Sequence, residues 1–223
     1  MMNAKEAARL IDISAVQAYH GKKEIDELLV YAKKYNFISV HTLPSWTKYI
    51  SEELSDYPEI FVGAPVGFPS GGAHTTIKLH EASQLISDGV QEMDMVLNIG
   101  KLKSKEFQYV EDEIRQVREV ACDLPLKVIL ETHYLTDDEI KRACEICIHA
   151  GVDFVKTGTG WAPSGATIRV IKLIKEFVGS SIKVKASGGI RNIETFNEML
   201  NLGVERFGIN IWTSIDIVQG FGN

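Results

Sequence analysis

A regular alternation of short apolar runs with longer amphipathic stretches extends over most of the 223 residues, and it constrains the fold more than any other feature. The apolar runs have the length and β-branched content of buried strands, and the stretches between them have the apolar spacing of helices. Strand–helix–strand order implies right-handed crossovers and a parallel sheet. The predicted strands lie at residues 10–14, 37–42, 60–66, 92–98, 126–132, 154–159, 182–187 and 206–210.

Eight near-equal units of this kind favour a closed (β/α)8 barrel. An open doubly wound sheet is the alternative, but the glycine-rich stretch 67–74 lacks a nucleotide-binding fingerprint. We therefore predict an α/β fold in which residues 1–223 form a single TIM-barrel domain with a short N-terminal helix. The predicted helices lie at residues 4–10, 24–35, 44–54, 75–88, 105–121, 136–150, 164–178, 192–201 and 211–219.

The composition excludes several classes of partner. Hydrophobic residues make up 45% of the chain, charged residues make up 24%, and the net charge is -6. No basic patch stands out, so we expect no nucleic-acid partner and no membrane-surface partner. No apolar run approaches the ~20 residues that are needed to span a bilayer.

The three cysteines indicate a reducing compartment. An odd, low count without a signal peptide predicts a cytoplasmic location. Cys144 and Cys147 have the spacing of a redox pair, but they share the apolar stripe of a predicted helix. Packing in the core is therefore their expected role.

Charged residues fall on the inward faces of several predicted strands. Alternate residues of a barrel strand point inward, and catalytic groups lie at the carboxyl ends of the strands. This parity predicts that Asp94, Lys156 and Lys185 converge in the lumen, with Asp12 nearby. Glu131, at the end of the fifth strand, has the same parity.

Two inward lysines on neighbouring strands admit two interpretations. They could belong to a structural network of ion pairs, because buried charges are costly unless paired. Lys183, deeper on the face of Lys185, is expected to pair with Glu92 in this way. Alternatively, like charge and desolvation hold one lysine as a free amine, which can attack a carbonyl and form a Schiff base. A nearby carboxylate would move the protons; the spacing of the lysines alone does not assign which one attacks.

Four segments, in order along the chain, resemble the deoxyribose-phosphate aldolases. They are EMDMVLNIGKLKS (92–104), KVILETHYLT (127–136), FVKTGTGW (154–161) and VKASGGIR (184–191). The resemblance implies a class I aldolase on a (β/α)8 barrel that needs no metal and no organic cofactor. It also implies reversible cleavage of 2-deoxyribose 5-phosphate to acetaldehyde and glyceraldehyde 3-phosphate. Members of the family are often dimers or tetramers, so we expect a homo-oligomer.

The resemblance also assigns roles to individual residues. Carried over by position, it makes Lys156 the Schiff-base lysine and Lys185 the second lysine, which lowers the pKa of the first. Asp94 matches the aspartate of the proton relay, and Asp12 matches the aspartate that opens the first-strand motif. Further residues expected at the substrate are Ser14, Thr157, Ser187, Gly188, Gly189 and Asn210.

The chain departs from the family pattern at four places. Ser14 replaces a threonine but keeps its hydroxyl. His41 stands where cysteine is frequent, and His133 follows Thr132 at the end of strand 5. Both histidines are predicted near the mouth, either at a polar substrate tail or as ordinary surface or core residues. The segment GINIW (208–212) replaces a run of small hydroxyl residues after strand 8.

The last departure bears on the substrate. Barrels often bind phosphate with backbone N–H groups after strands 7 and 8. Residues 187–189 keep the first half of such a site, and Asn210 still offers a donor in the second half. Trp212, next to Ile211, is expected to hinder a dianion there. A related aldolase for an unphosphorylated sugar or hydroxy-carbonyl compound is therefore the first alternative.

Two other classes of function stay open. A sugar-phosphate isomerase or epimerase on the same barrel would use a carboxylate or histidine base and form no lysine adduct. A non-catalytic barrel would use the lysines to grip an anionic ligand. Reduction of an imine with borohydride distinguishes the aldolase from both.

Overall fold

Eight parallel strands close into a barrel in sequential order in the computed structural model, which describes residues 2–222. Each strand pairs with the next, and β8 pairs with β1. The predicted (β/α)8 barrel is therefore confirmed. The strands are β1 (Ile11–Ala15), β2 (Ser39–Thr42), β3 (Phe61–Val66), β4 (Glu92–Val96), β5 (Leu126–Ile129), β6 (Phe154–Lys156), β7 (Lys183–Ser187) and β8 (Arg206–Asn210).

Ten α-helices lie within residues 2–222 and surround the barrel. Short 3-10 turns at Pro44–Trp46 and Thr132–Tyr134 precede α3 and follow β5. No helix of this part of the chain is long and apolar enough to cross a membrane. The helices are α1 (Ala4–Ala8), α2 (Lys22–Tyr35), α3 (Thr47–Glu53), α4 (Thr75–Ser87), α5 (Ile99–Lys103), α6 (Phe107–Ala121), α7 (Asp137–His149), α8 (Ile168–Val178), α9 (Ile193–Asn201) and α10 (Ile211–Gly220).

The apolar core lies mainly between the barrel and its helices. In β4, Met93 and Met95 are completely buried members of this core, and Glu92 and Asp94 alternate with them on the other face of the strand. Cys144 and Cys147 are buried on α7, as the helical pattern predicted, and burial raises the pKa of the Cys144 thiol to about 12. The lumen therefore holds most of the buried charged residues of the part of the chain that the structure describes.

Elements near the mouth differ most from the prediction. The strand predicted at 154–159 ends at Lys156, and the helix predicted at 164–178 begins only at Ile168. Thr167 caps α8, because its side chain accepts a hydrogen bond from the N–H of Val170. Residues 157–167 therefore form a connection, called here the β6–α8 loop, at the carboxyl end of the barrel.

Lys183 does not pair with Glu92, and that prediction is wrong. It begins β7 at the bottom of the barrel, where its side chain is exposed and its Nζ lies 5.4 Å from the centre of the Phe154 ring. Glu92 pairs instead with Arg206 and Lys127. The first residue of a strand can turn its long side chain to solvent, so the inward parity does not hold at this end.

Candidate active site

Lys156, Lys185 and Asp94 lie together in the barrel, with both ammonium groups on one carboxylate oxygen. Lys156 Nζ donates to Asp94 Oδ2 at 2.7 Å, and Lys185 Nζ donates to the same oxygen at 2.6 Å. The two lysines are paired neighbours in the register of β6 and β7. Asp94 reaches them from β4 on the other side of β5. Strand parity alone predicted this convergence.

Asp12 and Glu92 extend this cluster into a larger network below. Asp12 forms ion pairs with Lys185 and with Arg206, whose Nε lies 2.8 Å from Asp12 Oδ1. Glu92 lies 2.6 Å from Arg206 Nη2 and 3.1 Å from Lys127 Nζ. Three carboxylates thus meet four basic side chains in the lumen.

Lys127 and Arg206 were missed by the sequence reasoning, although a signal for each was present. Lys127 is completely buried and shares the inward parity of Glu131, four residues further along the strand predicted at 126–132. Arg206 begins β8 but reaches Asp12 and Glu92 with its long side chain. Each is the only charged residue of its strand, LKVI in β5 and RFGIN in β8.

Lys156 is the basic side chain of the network with the fewest carboxylate partners. Lys127, Lys185 and Arg206 each contact two carboxylates, whereas Lys156 contacts only Asp94 among the described residues. Asp94 is itself shared with Lys127 and Lys185. If one basic group of the network is to lose its proton, Lys156 is the one whose loss removes the fewest ion pairs.

The pKa shifts follow this difference in partners. Burial lowers the pKa of Lys156 to about 8; the charge of Lys185 acts in the same direction, while Asp94 opposes it. Burial also favours the neutral form of Lys127, but Asp94 and Glu92 outweigh it and raise its pKa. Burial alone would raise the pKa of Asp94, but the charges of three lysines hold it well below the usual value. A free amine next to an ionised carboxylate is therefore accessible near neutral pH.

His41 lies deeper than predicted. Its ring is buried in the floor of the site, with Nε2 3.0 Å from Glu92 Oε1, so it is not at the rim where a substrate tail would pass. Burial and the charge of Lys185 lower its pKa and favour the neutral imidazole. A Cβ added to Gly63, its partner on β3, would collide with the His41 ring.

The network leaves no fitting place for a metal ion. Asp12, His41 and Glu92 bring potential ligand atoms within 4.8 Å of one another. Both carboxylates, however, already contact basic side chains, namely Arg206, Lys127 and Lys185. A cation placed there would displace or repel those groups.

A cavity opens directly over Lys156. Lys156 is 8% exposed, and this exposure connects it with the mouth of the barrel. The lining includes most of the predicted site residues together with Phe68 and Thr159, which were not predicted. The residues that line the cavity are Asp12, Ser14, Val16, His41, Pro65, Phe68, Asp94, Lys156, Thr159, Lys185, Ser187 and Gly208.

A cleft adjoins this cavity on the side of β7 and β8. Its lining includes Ser187, Gly188, Gly189 and Asn210, as predicted. Gly188 and Gly189 have positive φ angles of 77° and 100°, which residues with a side chain rarely adopt. At these two glycines no side chain covers the backbone, so the backbone forms part of the wall of the cleft.

His20 and Arg191 also line the cleft, and the sequence reasoning missed both. They follow β1 and β7, at the carboxyl ends where barrel sites form, which was the available signal. The Nδ1 of His20 accepts a hydrogen bond from the N–H of Gln17 at 3.3 Å, so the ring proton belongs on Nε2. The cleft therefore offers side-chain donors for a polar or anionic group.

The predicted obstruction by Trp212 is wrong. Trp212 is 50% exposed and does not line the cleft, and Ile211 is buried in the core. Asn210 lies at the cleft and caps α10, accepting from the N–H of Thr213 and donating to Thr213 Oγ1. One amide hydrogen of Asn210 remains for another partner.

Three other predicted residues have hydrogen bonds that limit their contact with a substrate. Thr157 is completely buried, and its hydroxyl bonds the backbone of Ser187 on both sides, at 2.7 and 2.9 Å. It joins β6 to β7 and is not available to a ligand. His133 contacts Ser164 Oγ at 2.6 Å and lines neither cavity. Ser14 donates to the carbonyl of Ile209 but lines both cavities.

A barrel that presents a buried lysine with a lowered pKa, a second lysine and an ionised carboxylate has the equipment of a lyase that works through an imine. Comparison with known proteins gives the same class. The family model for the DeoC/LacD family aldolases matches residues 47–210. The chain belongs to this family of aldolases.

Individual relatives and solved structures with high similarity to this chain are also aldolases. A deoxyribose-phosphate aldolase of Klebsiella pneumoniae is 46% identical over 205 residues, which cover 91% of this chain and 82% of the relative. A solved structure described as "QR15, an Aldolase" superposes with a TM-score of 0.91 at 38% identity, covering 97% of this chain and 96% of that one. A tetrameric deoxyribose phosphate aldolase from Aeropyrum pernix shares the fold with a TM-score of 0.89 at 24% identity, covering 98% and 92% of the two chains.

Proposed function

We propose that the chain reversibly cleaves 2-deoxyribose 5-phosphate to acetaldehyde and glyceraldehyde 3-phosphate, with Lys156 as the nucleophile. The observation that carries this proposal is the position of Lys156. It is the basic group of the lumen with the fewest ion pairs, it lies beneath the cavity, and its pKa is lowered to about 8. The curated relatives that carry the name deoxyribose-phosphate aldolase support the choice of substrate.

The reaction begins when the free amine of Lys156 attacks the aldehyde carbon of the open-chain sugar. Loss of water gives an iminium ion. The C3 hydroxyl then loses its proton while the C2–C3 bond breaks, and the electron pair of that bond moves toward the iminium nitrogen. Glyceraldehyde 3-phosphate leaves, and an enamine of acetaldehyde remains on Lys156. Protonation of its terminal carbon and addition of water release acetaldehyde and restore the amine.

Asp94 and Lys185 are the charged groups beside Lys156 that take part in these steps. Asp94 remains ionised because three lysines hold its pKa well below the usual value, so it accepts and orients donors. Lys185 shares Asp94 Oδ2 with Lys156 and lines the same cavity. Asp94, through a water molecule, accepts the proton of the substrate hydroxyl, and Lys185 keeps the positive charge that disfavours protonation of Lys156.

The cleft next to the cavity is suited to the phosphate end of the substrate. Backbone at Gly188 and Gly189, the guanidinium of Arg191 and the imidazole of His20 lie around it. The absence of Trp212 from this lining removes the reason to expect poor binding of a dianion. An unphosphorylated substrate stays the second candidate, because Asn210 is the only polar side chain of GINIW that lines the cleft, and Thr213 takes one of its two amide hydrogens.

The setting of the enzyme is a further part of the proposal. A cytoplasmic location is supported by the three cysteines, all of which are unbridged. A homo-oligomer, either dimer or tetramer, is supported by the tetramer described for the relative from Aeropyrum pernix.

Reductive trapping and substrate comparison test the proposal together. Acetaldehyde with borohydride should add one ethyl group to Lys156, located by peptide mass mapping, and Lys156→Met should show neither the adduct nor cleavage. Cleavage of 2-deoxyribose 5-phosphate should exceed that of 2-deoxyribose, and Arg191→Gln should reduce this preference. Turnover of a ketose phosphate without an adduct would favour an isomerase, and neither adduct nor turnover would favour a binding protein.

A further inference from the structure

Glu131 is a buried carboxylate that the proposed mechanism does not use. It is 2% exposed and lies two residues after the end of β5, immediately before the 3-10 turn. The other buried carboxylates of the described residues each contact a basic side chain, whereas Glu131 has no basic side chain within ion-pair distance in residues 2–222. Burying a carboxylate without a counter-charge is costly, so its presence requires an explanation.

The backbone at Glu131 is also strained. Its φ and ψ angles are 52° and 62°, in the left-handed region that residues with a side chain seldom adopt. Such strain persists only where the surrounding structure requires it. In this conformation the carboxylate lies against the β6–α8 loop.

The carboxylate binds Thr159 of that loop by several hydrogen bonds. Both oxygens accept from the backbone N–H of Thr159 at 3.3 Å, and Oε2 also accepts from the Thr159 hydroxyl. A Cβ on Gly158 would lie only 2.8 Å from Glu131 Oε1, so the chain passes directly over the carboxylate. Glu131 therefore replaces its missing counter-ion with donors from one residue of the loop.

Thr159 links the Glu131 carboxylate to Trp161 by hydrogen bonds. Its hydroxyl donates to Glu131 and accepts from the backbone N–H of Trp161 at 3.0 Å. The indole of Trp161 in turn donates to the carbonyl of Val16 at 2.9 Å and meets the Phe68 ring edge-on. Val16 and Phe68 line the cavity over Lys156, and Thr159 lines both the cavity and the cleft.

We propose that Glu131 is a positioning residue, which holds the β6–α8 loop across the mouth of the barrel through Thr159 and Trp161. The loop follows β6, which carries Lys156. It contacts the segments after β1 and β3 through Trp161, and it forms one wall of the cleft. Glu131 does not touch the reacting atoms, so its effect is on substrate binding in the cleft. The assignment uses the proposed function only to choose the substrate for the kinetic part of the test.

The test compares Glu131→Gln with two variants of its partner. The glutamine keeps the size of the side chain but replaces one acceptor by an N–H donor, which would face the donors of Thr159. KM for 2-deoxyribose 5-phosphate should rise roughly tenfold, because a charge-assisted hydrogen bond is lost, while kcat changes little. Thr159→Val should reproduce this rise, Thr159→Ser, which keeps the hydroxyl, should raise KM less than Thr159→Val does, and the double variant should be no worse than the single ones.

Fluorescence supplies a readout that needs no substrate. In a Trp46→Phe/Trp212→Phe background, Trp161 is the remaining tryptophan. Glu131→Gln should increase quenching of its emission by acrylamide, since the loop is less firmly held. Glu113→Gln is the matched control, because Glu113 is equally buried but pairs with Lys78 between α4 and α6. It should lower stability and change neither quenching nor KM.

The outcomes separate the two proposals. Unchanged quenching and KM in a folded Glu131→Gln protein would overturn the positioning role, as would an equal change in Glu113→Gln. If the parent protein fails to cleave 2-deoxyribose 5-phosphate, the proposed function fails while the quenching comparison still decides the role of Glu131.

Discussion

Two buried lysine–carboxylate pairs, one in the helical layer and one in the lumen, differ in a way that separates structure from chemistry. Lys78 on α4 contacts Glu113 on α6 at 2.7 Å and donates to the carbonyl of Val96. Lys156 contacts Asp94 at the same distance of 2.7 Å. Burial lowers the pKa of both lysines. Pair geometry and the direction of the pKa shift therefore do not distinguish a reactive lysine from a structural one.

The two lysines differ in how many cations share their carboxylate and in whether a cavity reaches them. Glu113 is the carboxylate of Lys78 alone, and no solvent reaches the lysine. Asp94 is shared by three lysines, and Lys156 opens on a cavity. A lysine becomes a candidate nucleophile when its counter-charge is divided and a carbonyl compound can reach it.

The strongest test of this comparison makes the same substitution at both sites. Lys156→Met should abolish the borohydride-trapped adduct, whereas Lys78→Met should keep it and lower the free energy of unfolding by about 3–5 kcal/mol, because Glu113 is left buried without its partner. Adduct mapping and denaturant unfolding measure the two effects. Loss of the adduct in a folded Lys78→Met protein would contradict the distinction.

A smaller change is expected when the neighbouring cation is removed. Lys185→Leu removes a positive charge next to Lys156, so the pKa of Lys156 should rise from about 8 by roughly one pH unit and stay below 10.5, because burial still lowers it. The pH at which half-maximal trapping rate occurs should move upward accordingly. Lys183→Leu is the control on the same strand, because Lys183 is exposed and outside the network, and its trapping profile should match that of the parent. An unmoved midpoint in Lys185→Leu would show that Lys185 does not influence the nucleophile.

The smallest expected effect is on stability as a function of pH. The folded-state pKa of Lys156 is lowered to about 8 from 10.5, so between these values the unfolded chain binds a proton that the folded chain does not. The contribution of Lys156 to stability should therefore increase as the pH rises from 8 to 10.5. Unfolding free energies of the parent and Lys156→Met, subtracted at each pH, isolate this contribution from that of other groups. A difference that is flat or falls with pH would contradict the lowered pKa.

The parts of the site that sequence reasoning located are those that a regular strand imposes. Inward parity alone predicts that Asp94, Lys156 and Lys185 lie together, since the alternation of side chains along a strand is fixed by backbone geometry. Parity was wrong for Lys183, where the strand begins at the solvent. Parity also places Arg206 in the lumen, on the face of Gly208 and beside Lys185 in the register, although Arg206 was not among the predicted residues.

The remaining parts depend on where the chain leaves the barrel. Predicted strands extended into the β6–α8 loop, so Thr159 was placed in a strand although it binds Glu131 there. Trp212 was predicted in the cleft from its position after strand 8, but the first turn of α10 carries it outward. Loop paths and helix rotation are set by tertiary packing, which periodicity does not encode.

The fit between Gly63 and the ring of His41 has an evolutionary consequence. The imidazole fills the volume that any side chain on the neighbouring strand would need, so the depth of the pocket floor is decided jointly by the two positions. A lineage that enlarges residue 63 must first, or simultaneously, shrink residue 41. Shrinking residue 41 alone would instead create room beneath the bound aldehyde for a bulkier donor.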